Sequence, residues 1–394
     1  KIKVPTESKM WNPTLQEWSN VPIDTFATSK VTFDFKFSNW HNGESMDIND
    51  ILHSLYFTIE WGTQLDEKDK TFDTEFTPRA AQSIQTIVAI NQIDEDTVEV
   101  FVNYWHFNEN EIAEWAAIWS PVPWELTAAM EKAVMDGKVS FSRSGATSKS
   151  VNWLSLIVPN DAQIIKEYLK EFRENEFIPS SLKQSQKQQQ YFDDRFDSSI
   201  NWIEKKNHAV ISNGPFYLQT YSPESRTIQV KAFEDNSYPF EVGTWSKFEN
   251  MQFPSIKKIN IQKIIQQGES IQISLETEGV TSLLYFILDS EGRIQTSEES
   301  EIKENNLNIN LTSDITKKLQ SGTNQIKIFG ISDLVLKPDI YETNFIIVKE
   351  KSEIPKTEIN VQNIENEINY DVWVIGIIIL VIIIAITIFL KKRF

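Results

Sequence analysis

Residues Val31–Tyr56 read VTFDFKFSNWHNGESMDINDILHSLY. Val31, Phe33, Phe35 and Phe37 alternate with polar residues, so they share one face of a period-2 strand. His41-Asn42-Gly43 then predicts a turn, because Gly43 takes a positive φ without the penalty a Cβ brings. Asp47 and Asp50 stand at the N-cap and N3 spacing of an acidic capping box. Ile48, Ile51, Leu52 and Leu55 give the following helix one apolar stripe. The segment therefore predicts strand, tight turn, capped helix, a unit found in many α/β domains.

The same residues resemble the signature of the family 5 extracellular solute-binding proteins, the peptide- and nickel-binding subunits of ABC importers. In that family the strand ends in aromatic-His-Asp-Gly and the helix opens Thr-Ala-x-Asp-Val. His41, Gly43 and Asp50 match it, whereas Asn42 replaces the Asp, Asp47 the Thr, Ile48 the Ala and Ile51 the Val. A second stretch, Ser212–Phe240, is similar to the family's Gly-Thr-Gly-Pro-Tyr strand, turn, apolar strand and Arg-Asn-x-x-Tyr-Trp. Gly214, Pro215, Phe216 and Tyr217 fit its first part, and Asn236 and Tyr238 fit its last part loosely. Between the two, Asp94–Val100 resembles the Asp-Asp-x-Thr-Val strand. A helix expected over Glu111–Trp119 and the prolines of Ser120–Pro123 follow it.

The resemblance covers about residues 24–240 and implies one lobe of a class II periplasmic-binding-protein-like fold. It implies oligopeptide-like solutes held in a cleft that two lobes close, with nickel, opines and sugars bound by some relatives. It gives His41, Gly43, Asp50, Gly214, Pro215, Tyr217, Asn236 and Tyr238 structural roles. No signal segment precedes the strand, and Lys1 is not Met. The chain is therefore expected to be a fragment or processed form, with a second lobe encoded before Lys1 in a permuted order.

Pattern shifts divide the chain. Residues 1–23, punctuated by Val4-Pro5 and Asn12-Pro13, are expected to close a preceding unit. Residues 24–253 form the lobe, with a helical insertion at about 126–209. There Trp124–Asp136 reads as a helix closed by Gly137, and Val139–Ser150 as a loop. Ile164, Ile165, Tyr168, Leu169 and Phe172 mark a second helix; Phe192, Phe196, Ile200 and Ile203 mark a third. Over 254–350 six strand-like runs separated by turn signals predict an all-β, immunoglobulin-like sandwich. Residues 351–371 read as a polar linker.

Val372–Leu390 is nineteen residues without a charge, followed by Lys391, Lys392 and Arg393. As a helix it spans roughly 28 Å, a bilayer core. The basic residues 391–393 place the tail 391–394 in the cytoplasm and residues 1–371 outside, as a single-pass cell-membrane protein. Net charge is −18, and without the three tail cations −21, a surface that repels phosphate backbones and disfavours nucleic acid. With no cysteine, disulfides and a lipid-bearing N-terminal cysteine are excluded from this chain. The resemblance implies an archaeal source, since archaeal members of the family often use a terminal helix as anchor. Asn310-Leu311-Thr312 is a glycosylation sequon.

Catalytic signatures are missing from the sequence. The histidines are His41, His53, His106 and His208, and no HExxH, Gly-x-Ser-x-Gly or phosphate-binding loop occurs. The run Asp66–Glu75 lacks the glycine and spacing of an EF-hand and reads as a solvated loop. No metal or cofactor is expected, and the chain is read as a non-enzyme. Six of the twelve tryptophans fall between Trp40 and Trp124. Tryptophan pairs apolar area with an N–H donor, suited to gripping a solute as well as to core packing. Trp61, Trp119 and Trp124, beside helix ends and the proline stretch, are the candidate ligand contacts. The expected function is the solute-binding subunit of an ABC transporter, partnered by a permease and its ATPase. The alternatives are a surface sensor or adhesion module that keeps the lobe as scaffold, and a hydrolase with a dispersed site.

Overall fold

The computed structural model describes residues 1–120, 122–301 and 306–349. Residues 9–232 build a sheet backed by helices. The sheet comprises β1 (Lys9–Asn12), β2 (Glu17–Asn20), β3 (Ser29–Asp34), β4 (Ile87–Gln92) and β5 (Thr97–Val102). Its order is β2-β1-β4-β5-β3, and every pairing is antiparallel. Residues 1–23, expected to end a preceding unit, thus supply the edge hairpin of this sheet. Trp11 and Trp18 face each other across that hairpin and both are buried. β1 meets β4 at a single rung, Lys9 against Ile90, so Asn91 and Gln92 run on past it.

Helix α1 (Ile48–Gly62) lies across the sheet. Asp47 accepts from Asn49 N, and the Asp50 side chain accepts from Asp47 N, the reciprocal cap the spacing predicts. Ile51, Leu55 and Ile59 pack on Val98, Val100 and Val102 of the sheet. The opposite face, with Trp61, packs on three helices: α2 (Trp124–Met135), α3 (Pro159–Glu174) and α4 (Gln189–Lys206). Buried on both faces, α1 carries Asn49, Asp50, His53, Ser54 and Glu60 inside, where these polar groups must find partners. The helix Phe76–Ile84 approaches its C-terminus so closely that a Cβ on Gly62 would stand 2.0 Å from Ile84 Cδ1. Part of the stretch read as a loop is instead the helix Arg143–Lys149, which Ser142 caps by accepting from Gly145 N.

After α4 come β6 (Phe216–Ser222) and β7 (Thr227–Ala232), a two-stranded sheet of their own. Phe216, Ile228 and Val230 are exposed there.

Residues 255–348 form two further sheets around a separate core. One holds β8 (Ser255–Asn260), β10 (Ile271–Glu278) and β13 (Asn306–Leu311), in the order β8-β10-β13. The other runs β9-β15-β14-β11-β12: β9 (Ile264–Gln266), β15 (Asp339–Val348), β14 (Gly322–Ile331), β11 (Ser282–Leu288) and β12 (Ile294–Glu301). Alternation of buried with exposed residues along β10, and of buried with half-buried residues along β11, packs Ile273, Leu283 and Ile287 between the layers. This unit touches the first where the Phe107 and Phe329 rings lie 4.1 Å apart, centroid to centroid.

The expected architecture needs one correction, and the expected location falls with it. Among the described residues no helix is long and apolar enough to cross a membrane. The described fold is mixed α/β with antiparallel sheets and no spanning helix, so it gives no support to a single-pass membrane protein divided between outside and cytoplasm. The apolar run 372–390, the linker 351–371, the tail 391–394 and Pro121 all lie outside the described residues.

Candidate functional site

A cleft of about 800 Å³ opens between the sheet edge and the start of α1. Its walls come from four places: the β1–β2 hairpin, the end of β4 with the turn after it, the first turn of α1, and a strap at Ser181–Lys187. Trp18, Phe37, Ile48, Leu52, Ile90 and Leu182 supply apolar surface. Asn49, Asn91 and Gln92 supply amides, and Lys9, Lys187, Glu7, Asp47, Glu95 and Asp96 supply charge. Enclosed apolar walls with a few placed polar groups are the usual make-up of a small-molecule site.

The strap is tied at three points. Trp18 Nε1 donates to Ser181 O at 2.9 Å. Gln184 donates to Trp18 O at 3.3 Å and accepts from Lys9 Nζ at 2.5 Å. Lys187 Nζ pairs with Asp47 Oδ2 at 2.9 Å. Side-chain hydrogen bonds thus hold the segment beyond its short 3-10 turn, Ser180–Leu182.

Beneath the cleft, a buried ionic group holds the start of α1. Arg195 Nη2 lies 2.5 Å from Asp50 Oδ1 and 2.8 Å from Glu125 Oε2. Asp50 also accepts from Trp124 N at 3.1 Å and Trp40 Nε1 at 3.3 Å. Burial works against the guanidinium charge, but Asp50 and Glu125 outweigh it and hold Arg195 well above its ordinary pKa. Burial raises Glu125, with the Arg195 charge opposing and Asp50 adding. Tyr191 OH donates to Asp47 at 3.1 Å and accepts from Trp124 Nε1 at 3.1 Å, linking this group to the cleft wall.

A second buried group sits one turn along α1. His53 Nδ1 is 2.7 Å from Ser181 Oγ, and His53 Nε2 is 3.5 Å from Glu131 Oε2. Trp61 Nε1 and Tyr56 OH donate to Glu131 Oε1 at 2.7 and 3.1 Å. Burial, helped by the Arg195 charge, pushes His53 down to about 3, and burial pushes Glu131 up to about 8. At neutral pH the imidazole is therefore uncharged and the carboxyl keeps its proton. A serine, a histidine and a glutamate in line suggest a nucleophile, yet a protonated carboxyl gives an imidazolium no support. Ser181 is also only 3 % exposed. The sequence left His53 without a carboxylate partner; Glu131, from α2, comes within 3.5 Å of it but keeps its proton at neutral pH.

The expected ligand contacts do not line this cleft. Trp61 and Trp124 are fully buried, with their N–H groups satisfied by Glu131 and Tyr191. Trp119 packs edge-on against Phe33 and Phe35. Of the motif residues, His41 and Gly214 are brought together: His41 Nε2 lies 2.9 Å from Gly214 O, and His41 N donates to Ser212 O. Tyr217 flanks the His41 ring at 6.0 Å, and Pro215 O accepts from Phe233 N. Gly43 has φ of +97°, and Asp50 is both cap and ion-pair partner. Tyr238 packs on Phe240 away from these residues, and Asn236 makes no hydrogen bond among the described residues. Asn310 is exposed on β13. Trp18, Asn49, Asn91 and the strap escaped the sequence reading; the polar run Gln184–Gln190 was their nearest signal. Among the described residues no group of three or more His, Asp or Glu is placed to hold a metal ion.

No family model matches the chain, and no curated protein matches it. Among solved structures, a lytic polysaccharide monooxygenase from Jonesia denitrificans is similar over 28 % of this chain and 87 % of its own. Identity is 11 % and the TM-score 0.17, a likeness too slight to carry an argument about fold or activity.

Proposed function

We propose that this chain is a solute-binding protein that captures peptide-like solutes in the cleft between β4, α1 and the strap, and passes them to an ABC permease and its ATPase. The observation that carries the reading is the cleft: about 800 Å³, with Trp18, Ile48, Leu52 and Ile90 beside Asn49, Asn91 and Gln92 on its walls. Apolar surface accepts side chains without choosing among them, and amides suit the peptide unit. The buried Arg195–Asp50–Glu125 group fixes the wall bearing Asn49, so little ordering is left to be done on binding. The resemblance of His41, Gly43, Asp50 and Gly214–Tyr217 to the family 5 signature supports the same reading. Isothermal titration calorimetry with capped tri- to pentapeptides tests it: saturable 1:1 binding is expected. Heats of dilution alone, with every peptide, contradict it.

The second reading is a sensor or adhesion module using the lobe as scaffold. The separate core of residues 255–348 favours it, since a spacer or contact domain serves adhesion directly. Genes for a permease and an ATPase beside this one support transport; their absence supports the scaffold.

A further inference from the structure

The cleft's hydrogen-bonding groups are unevenly spent. Asn49 Nδ2 is engaged by Asp47 and Tyr191, Asn91 Nδ2 by Glu99, and Gln92 Nε2 by the carbonyl of Asp94. The oxygens of the same three amides accept no hydrogen bond from the described residues. Asn49 and Asn91 are 2 and 6 % exposed and line the cleft, and their amide oxygens keep solvent contact without a protein partner. The two ammonium groups are occupied, Lys9 by Gln184 and Lys187 by Asp47. The carboxylates of Glu7, Glu95 and Asp96 have no lysine or arginine within 4.0 Å among the described residues. Four carboxylates face two ammonium groups across the cleft. At the β4–β5 turn Asp94 and Asp34 crowd Asp96 further, and the hydrogen bond shared with Asp94 holds Asp96 above its ordinary pKa.

We propose that the solute is a cation rich in N–H donors, an alkylammonium or guanidinium, seated at the β4–β5 turn by Asn91, Gln92, Glu95 and Asp96. This rests on the solute-binding reading and names the class of solute. A cation there satisfies the open amide oxygens and relieves the crowding of carboxylates at once. An acid of equal size meets the unpaired carboxylates of Glu95 and Asp96 there, so the turn discriminates by repulsion as well as attraction.

Calorimetry of the full chain at 50 mM salt uses three N-acetylated, C-amidated tripeptides, Ala-Lys-Ala, Ala-Gln-Ala and Ala-Glu-Ala, and spermidine as a cation that is no peptide. The lysine peptide is expected to bind at least about tenfold tighter than the glutamate peptide. In the Glu95→Gln, Asp96→Asn double variant, two surface changes, the gap is expected to close to about twofold or less. Equal affinity for lysine and glutamate peptides overturns the cation assignment and leaves peptide binding standing. Binding of spermidine with no peptide bound supports the cation site and overturns the peptide reading. A lysine preference unchanged in the double variant overturns the placement at this turn, and no binding by any probe overturns both.

Discussion

Arg195 and Asp50, 145 residues apart in sequence, meet at 2.5 Å in the interior, with side chains 1 and 2 % exposed. The contact ties α4 to the N-terminus of α1, the point at which the cleft wall begins. A buried pair of this kind is weak evidence of net stabilisation, but breaking it leaves a charge stranded. Arg195→Met leaves Asp50 and Glu125 together without a cation. It is expected to cost about 3–5 kcal/mol in urea unfolding. Arg195→Met combined with Asp50→Asn and Glu125→Gln is expected to recover most of that loss.

Packing gives a second expectation at Gly62. A Cβ there meets Ile84 Cδ1 at 2.0 Å and Ala80 Cβ at 2.9 Å. Gly62→Ala normally favours a helix, yet here it is expected to destabilise by about 1–3 kcal/mol through overpacking. Thermal unfolding of the variant, with and without Ile84→Val, checks this: the second change is expected to relieve part of the strain.

His53 and Glu131 together shape the dependence of stability on pH. Glu131 is raised from 4.5 to about 8, so the unfolded chain ionises first and stability falls as pH rises between those values. His53 is lowered from 6.5 to about 3, so the unfolded chain takes its proton first and stability falls as pH drops through that window. Between 4.5 and 6.5 the two slopes oppose each other, giving a plateau. Above it the loss from Glu131 stands alone until about pH 8. Melting temperatures from pH 4 to 9 test the shape, and Glu131→Gln is expected to flatten the alkaline limb specifically.

Two of the strap's ties, Lys9 to Gln184 and Lys187 to Asp47, lie at the surface and are each worth less than about 1 kcal/mol. Lys187→Ala and Gln184→Ala are expected to leave global stability nearly unchanged. Limited proteolysis between Lys183 and Gln188 is expected to speed up in both, since the segment lacks helix or sheet bonding of its own. Unchanged cleavage means that the strap is held by packing of Leu182 instead.

What could be read from the sequence was local. Asp47 and Asp50 lie three apart, so the start of α1 was visible in its capping chemistry. Phe192, Phe196, Ile200 and Ile203 announced α4 by their spacing, and all four are buried. Strand Ile294–Glu301 was missed because Ile294 is its only large apolar residue. The contacts that assemble the lobe span 173 residues for His41 and Gly214, and 128 for His53 and Ser181. No period or spacing encodes such meetings. Trp61 and Trp124 stand apart from the cleft for a physical reason: they find hydrogen-bond partners inside, so nothing holds them at a surface. Asn49 and Asn91 carried no signal, because a buried asparagine is recognisable only once its neighbours are known.

The central claim, that solute binds in the cleft, is tested most directly by amide hydrogen exchange with saturating acetyl-Ala-Lys-Ala-amide. Slower exchange confined to residues 47–52, 90–96 and 181–187 is the predicted result. Protection elsewhere, or none at saturating peptide, contradicts the account.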